Sequence, residues 1–326
     1  MKACVSPLPT CAAHCEALPA APPIADCTVN QLQLFLPCAA GVEDYLAAEA
    51  ARITGQPPEQ VQKWRAGVVL QASWRDAMLL NLHSRLAQRV LVQLHQVMYR
   101  NEQDLYRAAS DVAWEIWFTP RESIKVEVTA QHSPLSSLNF AALKIKDAVC
   151  DRFRAKCGGV RPDVDTEQPD IRIYVHLTSD TVSLYVDTSG EALFKRGWRE
   201  DKGEAPLKET LAAAMLAASG WVDTPQLPLY DPCCGSGTIA IEAAQIACHV
   251  APGSLRRFAF EKMLPFQPHV WDAIREDMNQ SRGSILSRPD VRRWANTGAN
   301  AGSKDYLVWS RLLAKTRRAL ETLARG

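Results

Sequence analysis

A regular apolar pattern first appears at Leu32, Leu34 and Leu36, which alternate with polar or aromatic neighbours at the period of two expected of a strand with one buried face. Residues 1–29 hold five prolines and four cysteines with neither a strand nor a helix period, and read as an unpacked leader. After Gly41 the spacing predicts a helix over 42–53, with Val42, Leu46, Ala50 and Ile53 on one face and Gly55 stopping it. A strand over 67–72, a helix capped by Ser73 and running towards Leu86, and a strand over 89–94 complete the first group. This alternation predicts a small ferredoxin-like unit over 30–95, a design that uses its sheet as a platform.

The rhythm then recurs. A helix is predicted over 104–113, a strand over 124–129, and a helix over 140–156 with Ala141, Ile145, Ala148, Val149 and Phe153 near one side. Residues 171–177 and 181–187 read as a hairpin turning at 178–180. From Gly190 the pattern changes. An alanine- and leucine-rich helix spans 208–218 with Gly220 just past its end, and it is followed by a short apolar strand at 227–230, a glycine turn at 231–237 and a helix over 238–249. Strand, glycine turn and helix in that order open a doubly wound α/β nucleotide-binding domain.

Length and composition fit this organisation. The chain has 326 residues, enough for about two domains at about 150 residues each. Apolar residues make up 47% and charged residues 22%, which excludes wholesale disorder and a pure coiled coil. Lys plus Arg number 37 and Asp plus Glu 36, so no chain-wide basic field gathers nucleic acid and any such surface must be local. The ten cysteines follow no regular spacing and read as free thiols of a reducing compartment. Cys11 and Cys15, with His14 between them, lack a second ligand pair, so no metal is expected. No segment reaches the roughly 18 to 20 apolar residues of a membrane span, and the expected location is the cytoplasm.

The sharpest chemical signal is Asp231-Pro-Cys-Cys-Gly-Ser-Gly-Thr-Ile-Ala-Ile-Glu-Ala-Ala. Its two glycines allow a ligand to approach the backbone, and the first N–H groups of the following helix face whatever anion lies there, a carboxylate as well as a phosphate. A bare βα turn without a ligand is the alternative; the acid at the strand end and the apolar helix supply the context that a binding loop requires. A second signal is a local basic excess. Between residues 121 and 161 eight Lys or Arg face four acids, and Lys144, Lys146, Arg152, Arg154, Lys156 and Arg161 form a candidate RNA surface. Lys144, Asp147, Asp151 and Arg154 fall on helical spacings that equally suit local ion pairs on a solvated face.

The glycine loop, with Ile241-Glu-Ala-Ala, Ala251-Pro-Gly and Phe258-Ala-Phe after it, resembles the S-adenosylmethionine loop of the THUMP-containing RNA methyltransferases. Ser189-Gly, Arg196-Gly-Trp-Arg and Ala205-Pro-Leu-Lys-Glu-Thr-Leu resemble the join before that loop. Upstream, Asn139-Phe-Ala-Ala-Leu-Lys-Ile-Lys-Asp-Ala, Arg161-Pro-Asp-Val-Asp and Pro169-Asp-Ile-Arg-Ile are similar to the THUMP module, and the likeness runs over residues 32–265. Within the family it points to the bacterial enzymes that methylate guanine N2 in large-subunit ribosomal RNA.

The resemblance implies an α+β part followed by an α/β part: a ferredoxin-like unit, a THUMP RNA-binding module over 96–188, and an incomplete Rossmann-like methyltransferase domain over 189–326. It implies S-adenosyl-L-methionine as cofactor and structured, ribosomal RNA as partner. The cofactor-binding positions carried over are Asp231, Pro232, Cys234, Gly235, Ser236, Gly237 and Thr238, with Glu242 one helical turn behind them. Lys208 and Glu209 brace the pocket or simply cap their helix.

The family's Asn-Pro-Pro-Tyr segment, which holds the target base, is absent, so no catalytic residue is assigned. Residues 231–326 number 96, room for roughly three further units at about 30 residues per βαβ step, which predicts a sheet that does not close. Ile285, after Gly283-Ser284, stands where the resemblance implies an acid for the cofactor ribose at the end of a second strand. The segment 281–326 carries ten Lys or Arg against three acids and reads either as a basic RNA-binding tail or as out-of-frame translation. The alternative function is therefore a catalytically inactive THUMP-type RNA-binding protein, or a frameshifted fragment.

Overall fold

The structure, a computed structural model, describes residues 31–199, 207–225, 227, 229–231 and 235–286. The predicted leader and the segment from 287 onward lie outside the described residues. Strand β1 (Leu32–Pro37) buries Leu32, Leu34 and Leu36 and turns the residues between them to the other side. Helix α1 (Glu43–Thr54) ends at Gly55, whose φ of 68° is the left-handed conformation that a side chain would strain. Strands β2 (Gln62–Trp64) and β3 (Gly67–Ala72) follow, then helix α2 (Trp74–His83) and strand β4 (Leu91–Met98). Ser73 and Asp76 form a capping box at the start of α2. The sequence carried this helix to Leu86, but it stops at His83. The carboxylate of Glu49 accepts from Ser84 Oγ at 2.7 Å, Arg85 N at 2.9 Å and Leu86 N at 3.2 Å, which draws that backbone out of the helical ladder.

The second group repeats the scheme with helix α3 (Glu102–Asp111), strand β5 (Ile124–Ala130), helix α4 (Leu138–Lys156) and strands β6 (Ile171–Leu177) and β7 (Thr181–Asp187). The face of α4 foreseen from its spacing is buried at all five positions. Phe153 meets Phe118 with ring centroids 5.0 Å apart, which closes α4 over the short 3-10 turn Trp114–Ile116. The hairpin β6–β7 forms where it was read.

The two groups share one sheet. Its order is β2-β3-β1-β4-β7-β6-β5, and the join is the antiparallel pair β4–β7, from Leu91 opposite Asp187 to Met98 opposite Thr181. Only β5 and β6 run parallel. The core is continuous across the join, with Leu34, Val92, Val186, Ile173 and Phe153 in one apolar cluster.

Beyond the sheet the described residues are helical: α5 (Glu209–Ala218), α6 (Thr238–Ala247) and α7 (Pro268–Leu286). Two expectations change here. Of the segment 227–230, the described residues 227, 229 and 230 lie in no strand, and Tyr230 is 87% exposed. Residues 283–286, where the end of a second strand was expected, continue helix α7, which buries Trp271 and Ile274 one turn apart. Among the described residues no helix is long and apolar enough to cross a membrane.

Leu184 is fully buried at the centre of β7, beside the join. Leu184→Ala is expected to cost about 2–5 kcal/mol and to shift the unfolding of both groups together in urea, read by fluorescence and far-UV circular dichroism. Separate transitions for the two groups would contradict a shared sheet.

Candidate functional site

The glycine loop enters α6 through two left-handed residues, Gly235 at φ 50° and Gly237 at φ 81°. Gly237 is the N-cap, and having no side chain it leaves the first N–H groups of α6 without a side-chain cap. Ser236 Oγ and Thr238 Oγ1 lie 3.3 Å apart at this mouth. Asp231 is half-buried just before the loop, whereas Pro232 and Cys234 lie outside the described residues.

Arg199, which the sequence reading did not single out, reaches this site from the linker. Its Nε donates to Glu209 Oε1 at 2.8 Å, and its Nη2 donates to Thr238 Oγ1 at 2.9 Å and to the Leu207 carbonyl at 3.2 Å. Its Nη1 lies 3.5 Å from Ser236 Oγ, and the guanidinium sits 5.0 Å from the centroid of Trp198. Glu209, at the first position of α5, is almost fully buried. Lys208 beside it turns to the ring of Phe194, 5.3 Å away. The only advance signal for Arg199 was its place in Arg196-Gly-Trp-Arg.

Glu242 is fully buried on α6, one turn behind the mouth. Its Oε2 accepts from Arg85 Nη1 at 3.0 Å and its Oε1 from Arg196 Nε at 3.2 Å. Arg196 also donates to the Leu193 carbonyl and to the Arg85 carbonyl, both at 2.7 Å. Arg85 donates further to the Val250 carbonyl. Burial pulls the Arg85 guanidinium below its ordinary value, and the charge of Glu242 opposes that shift. Next to this cluster lies a cavity of about 850 Å³ lined by Glu49, His83 and Arg85 on one side and by Ala213, Ile246 and His249 on the other. Burial, helped by the Arg85 charge, pushes His83 down to about 4.

The six basic candidates divide. Arg152 is held by Glu115 through two bonds, Nε to Oε2 at 2.8 Å and Nη2 to Oε1 at 2.7 Å, and donates to the Ser110 carbonyl at 2.7 Å. It ties α4 to the end of α3. Lys146 pairs with Asp147 at 2.5 Å and Arg154 with Asp151 at 2.7 Å. Lys144 lies 5.5 Å from the exposed ring of Phe140, and Lys156 and Arg161 are exposed. Among the described residues the cysteines Cys38, Cys150, Cys157 and Cys248 are free, and no three His, Cys, Asp or Glu side chains converge to hold a metal.

Comparison with known proteins adds three domain matches: the RlmL ferredoxin-like domain at residues 33–91, the THUMP domain at 99–187 and the RMKL-like methyltransferase domain at 196–318. The chain is 41% identical over 276 residues to the "Ribosomal RNA large subunit methyltransferase K/L" of Aeromonas hydrophila, covering 84% of this chain and 37% of that relative. It is 36% identical over 265 residues to the "Putative RNA methyltransferase slr0064" of Synechocystis sp., covering 81% of this chain and 67% of that protein. The chain thus spans little more than a third of the length of the K/L relative. Among solved structures, a "predicted N6-adenine-specific DNA methylase" from Listeria monocytogenes matches with a TM-score of 0.69 and 30% identity, over 77% of this chain and 64% of the other. "SMU.472, a putative methyltransferase complexed with SAH" matches with a TM-score of 0.68 and 27% identity, over 77% and 65%.

Two outcomes follow from the buried charges. Glu242→Ala leaves Arg85 and Arg196 without their counter-charge and is expected to destabilise the protein by about 3–5 kcal/mol in chemical denaturation. His83 is held neutral in the fold at about 4 against an ordinary 6.5, so the unfolded chain takes up the proton first as the pH falls. Its contribution to stability is complete above pH 6.5 and declines from there towards pH 4, and His83→Gln is expected to flatten that part of the melting-temperature profile.

Proposed function

The chain belongs to the family of S-adenosylmethionine-dependent, THUMP-domain RNA methyltransferases, and from that premise we propose that it serves the N2-methylation of a guanine in large-subunit ribosomal RNA. The proposed cofactor site is the loop before α6, formed by Asp231, Pro232, Cys234, Gly235, Ser236, Gly237 and Thr238. The single observation that carries this assignment is the mouth of α6: left-handed glycines, no side-chain cap and two hydroxyls close together. A helix N-terminus of this kind suits the carboxylate of the cofactor's methionine group. Glu242, turned to Arg85 and Arg196, acts as a positioning residue that fixes α6 behind the loop.

The bound cofactor supplies an activated methyl on a sulfonium. The protein's share is alignment of the acceptor amine with that methyl and exclusion of competing geometries, with little proton transfer required. The residues of this chain divide that work into cofactor binding by the loop and RNA binding by the THUMP module, a division suited to the cytoplasm where ribosomes are made. Lys144, Lys146, Arg154, Lys156 and Arg161 are the proposed phosphate contacts, with Arg152 bracing the helix that presents four of them. The Asn-Pro-Pro-Tyr segment that orients the base in this family is not among the 326 residues, and no residue here is assigned to that step.

Titration calorimetry with S-adenosylmethionine tests the reading. Binding of the wild-type protein and its loss in Gly235→Asp, with affinity for a ribosomal RNA fragment unchanged, are expected. Absence of heat at millimolar cofactor, or an equal loss of cofactor and RNA affinity, would overturn it.

A further inference from the structure

We infer that Arg199 reads the carboxylate of the cofactor's amino-acid group, and that Glu209 aims it. This rests on the cofactor site proposed above and adds the cation that the loop itself lacks. The first argument is donor accounting. A guanidinium carries five N–H groups in a fixed planar fork. One on Nε goes to Glu209 and those on Nη2 to Thr238 Oγ1 and the Leu207 carbonyl, all at 2.8–3.2 Å. The Nη1 group faces the loop, where among the described residues its approach to Ser236 Oγ is 3.5 Å, at the outer limit of a hydrogen bond. Among the described residues, the edge of the fork nearest the mouth of α6 is thus the edge with donors to spare.

The second argument is electrostatic. The N-terminus of a helix is its positive end, which disfavours a nearby cation. Arg199 nevertheless bonds to Thr238, the first residue of α6, with its side chain 14% exposed. Glu209, itself well placed at the N-terminus of α5, offsets part of that charge through Nε, on the side away from the loop. Stacking on Trp198 fixes the plane. Two positive features converging on one point are what a site built for an anion requires. A carboxylate accepting from Nη1 and from the first N–H groups of α6 satisfies both, and charge-assisted bonds of this kind are about twice as strong as neutral ones.

A pair of ligands separates this role from a merely structural one. S-adenosylhomocysteine carries the amino-acid group, whereas 5′-methylthioadenosine keeps the adenosine and the sulfur and lacks the carboxylate. In calorimetry on the full chain, Arg199→Gln is expected to weaken S-adenosylhomocysteine about tenfold or more and to leave methylthioadenosine within about twofold, with Arg199→Lys recovering part of the loss. Glu209→Gln, which keeps Arg199 in place, is expected to weaken S-adenosylhomocysteine less and methylthioadenosine not at all, and it carries the test if Arg199→Gln does not fold. Equal losses for both ligands, or no loss for either, would overturn the assignment. Wild-type protein that binds neither ligand overturns the cofactor reading and this inference with it, whereas wild-type binding with ligand-independent losses overturns only the role of Arg199.

Discussion

The carboxylate of Glu242 between the guanidiniums of Arg85 and Arg196 is the interaction on which the arrangement of the molecule turns. Each partner comes from a different part of the chain: Arg85 from the turn after α2, Arg196 from the linker, Glu242 from the helix that carries the glycine loop. Two buried cations and one anion are costly to desolvate, and they persist only because the remaining N–H groups find the carbonyls of Val250, Leu193 and Arg85 itself. The cost is repaid in position. Next to the cluster the two sides stand apart across a cavity, and α6 with α5 has only a small apolar cluster of its own around Leu216, Trp221 and Ala243. Polar geometry, more directional than apolar packing, sets where α6 begins relative to the sheet.

That geometry is useful because the sheet behind it is one body. At the end of β7, Thr188 and Ser189 are bonded to Asn81 of α2 at 2.8 and 2.6 Å, and Ser189 Oγ also accepts from Val90 N at 2.8 Å. The Ala251-Pro-Gly motif gains a physical meaning here. A Cβ on Gly253 would stand 2.9 Å from the Asn81 carbonyl and from Leu82 Cα, so only glycine allows this loop to lie against α2 and donate to the Leu82 carbonyl at 2.9 Å. Phe258 and Phe260 then stack on each other, Trp271 meets both edge-on, and the three join the main core, seating α7 on the same helix. The chain from Val250 to Ile274 belongs mechanically to the sheet and its helices as much as to the glycine loop before α6.

Much of this was legible in the sequence, and the boundary of what was legible has a cause. Hydrophobic period reports which face of an element is buried, so β1, α1, α4 and the β6–β7 hairpin were readable from Leu32, Leu46, Ile145 and Val175 alone. It does not report what buries that face. The β4–β7 join pairs residues about ninety apart in sequence, and no local feature of Leu91 or Asp187 announces it. The same holds for charge. Glu242 read as a companion of the cofactor loop, and its partner Arg85 stands 157 residues away. Residues 227, 229 and 230, apolar or aromatic in pattern yet in no strand, show the converse: hydrophobicity alone does not report whether a ladder is there to join.

The basic residues of α4 sharpen what the proposed RNA contact of this front half requires. Arg152 is spent on Glu115, and Lys146 and Arg154 each have an acid on the same helix within 2.7 Å. A phosphate at these proposed contacts competes with those acids, so each contact yields less than a solitary lysine would. Under the proposed function, recognition of a structured RNA by such a surface rests on shape: a fixed set of weak contacts whose spacing matches the fold of the RNA. Shape can select only if the protein does not deform to meet the wrong partner. The continuous sheet supplies that stiffness, and the Arg85–Glu242–Arg196 cluster extends it to α6, so under the proposed function a weak grip at one end defines a position at the other.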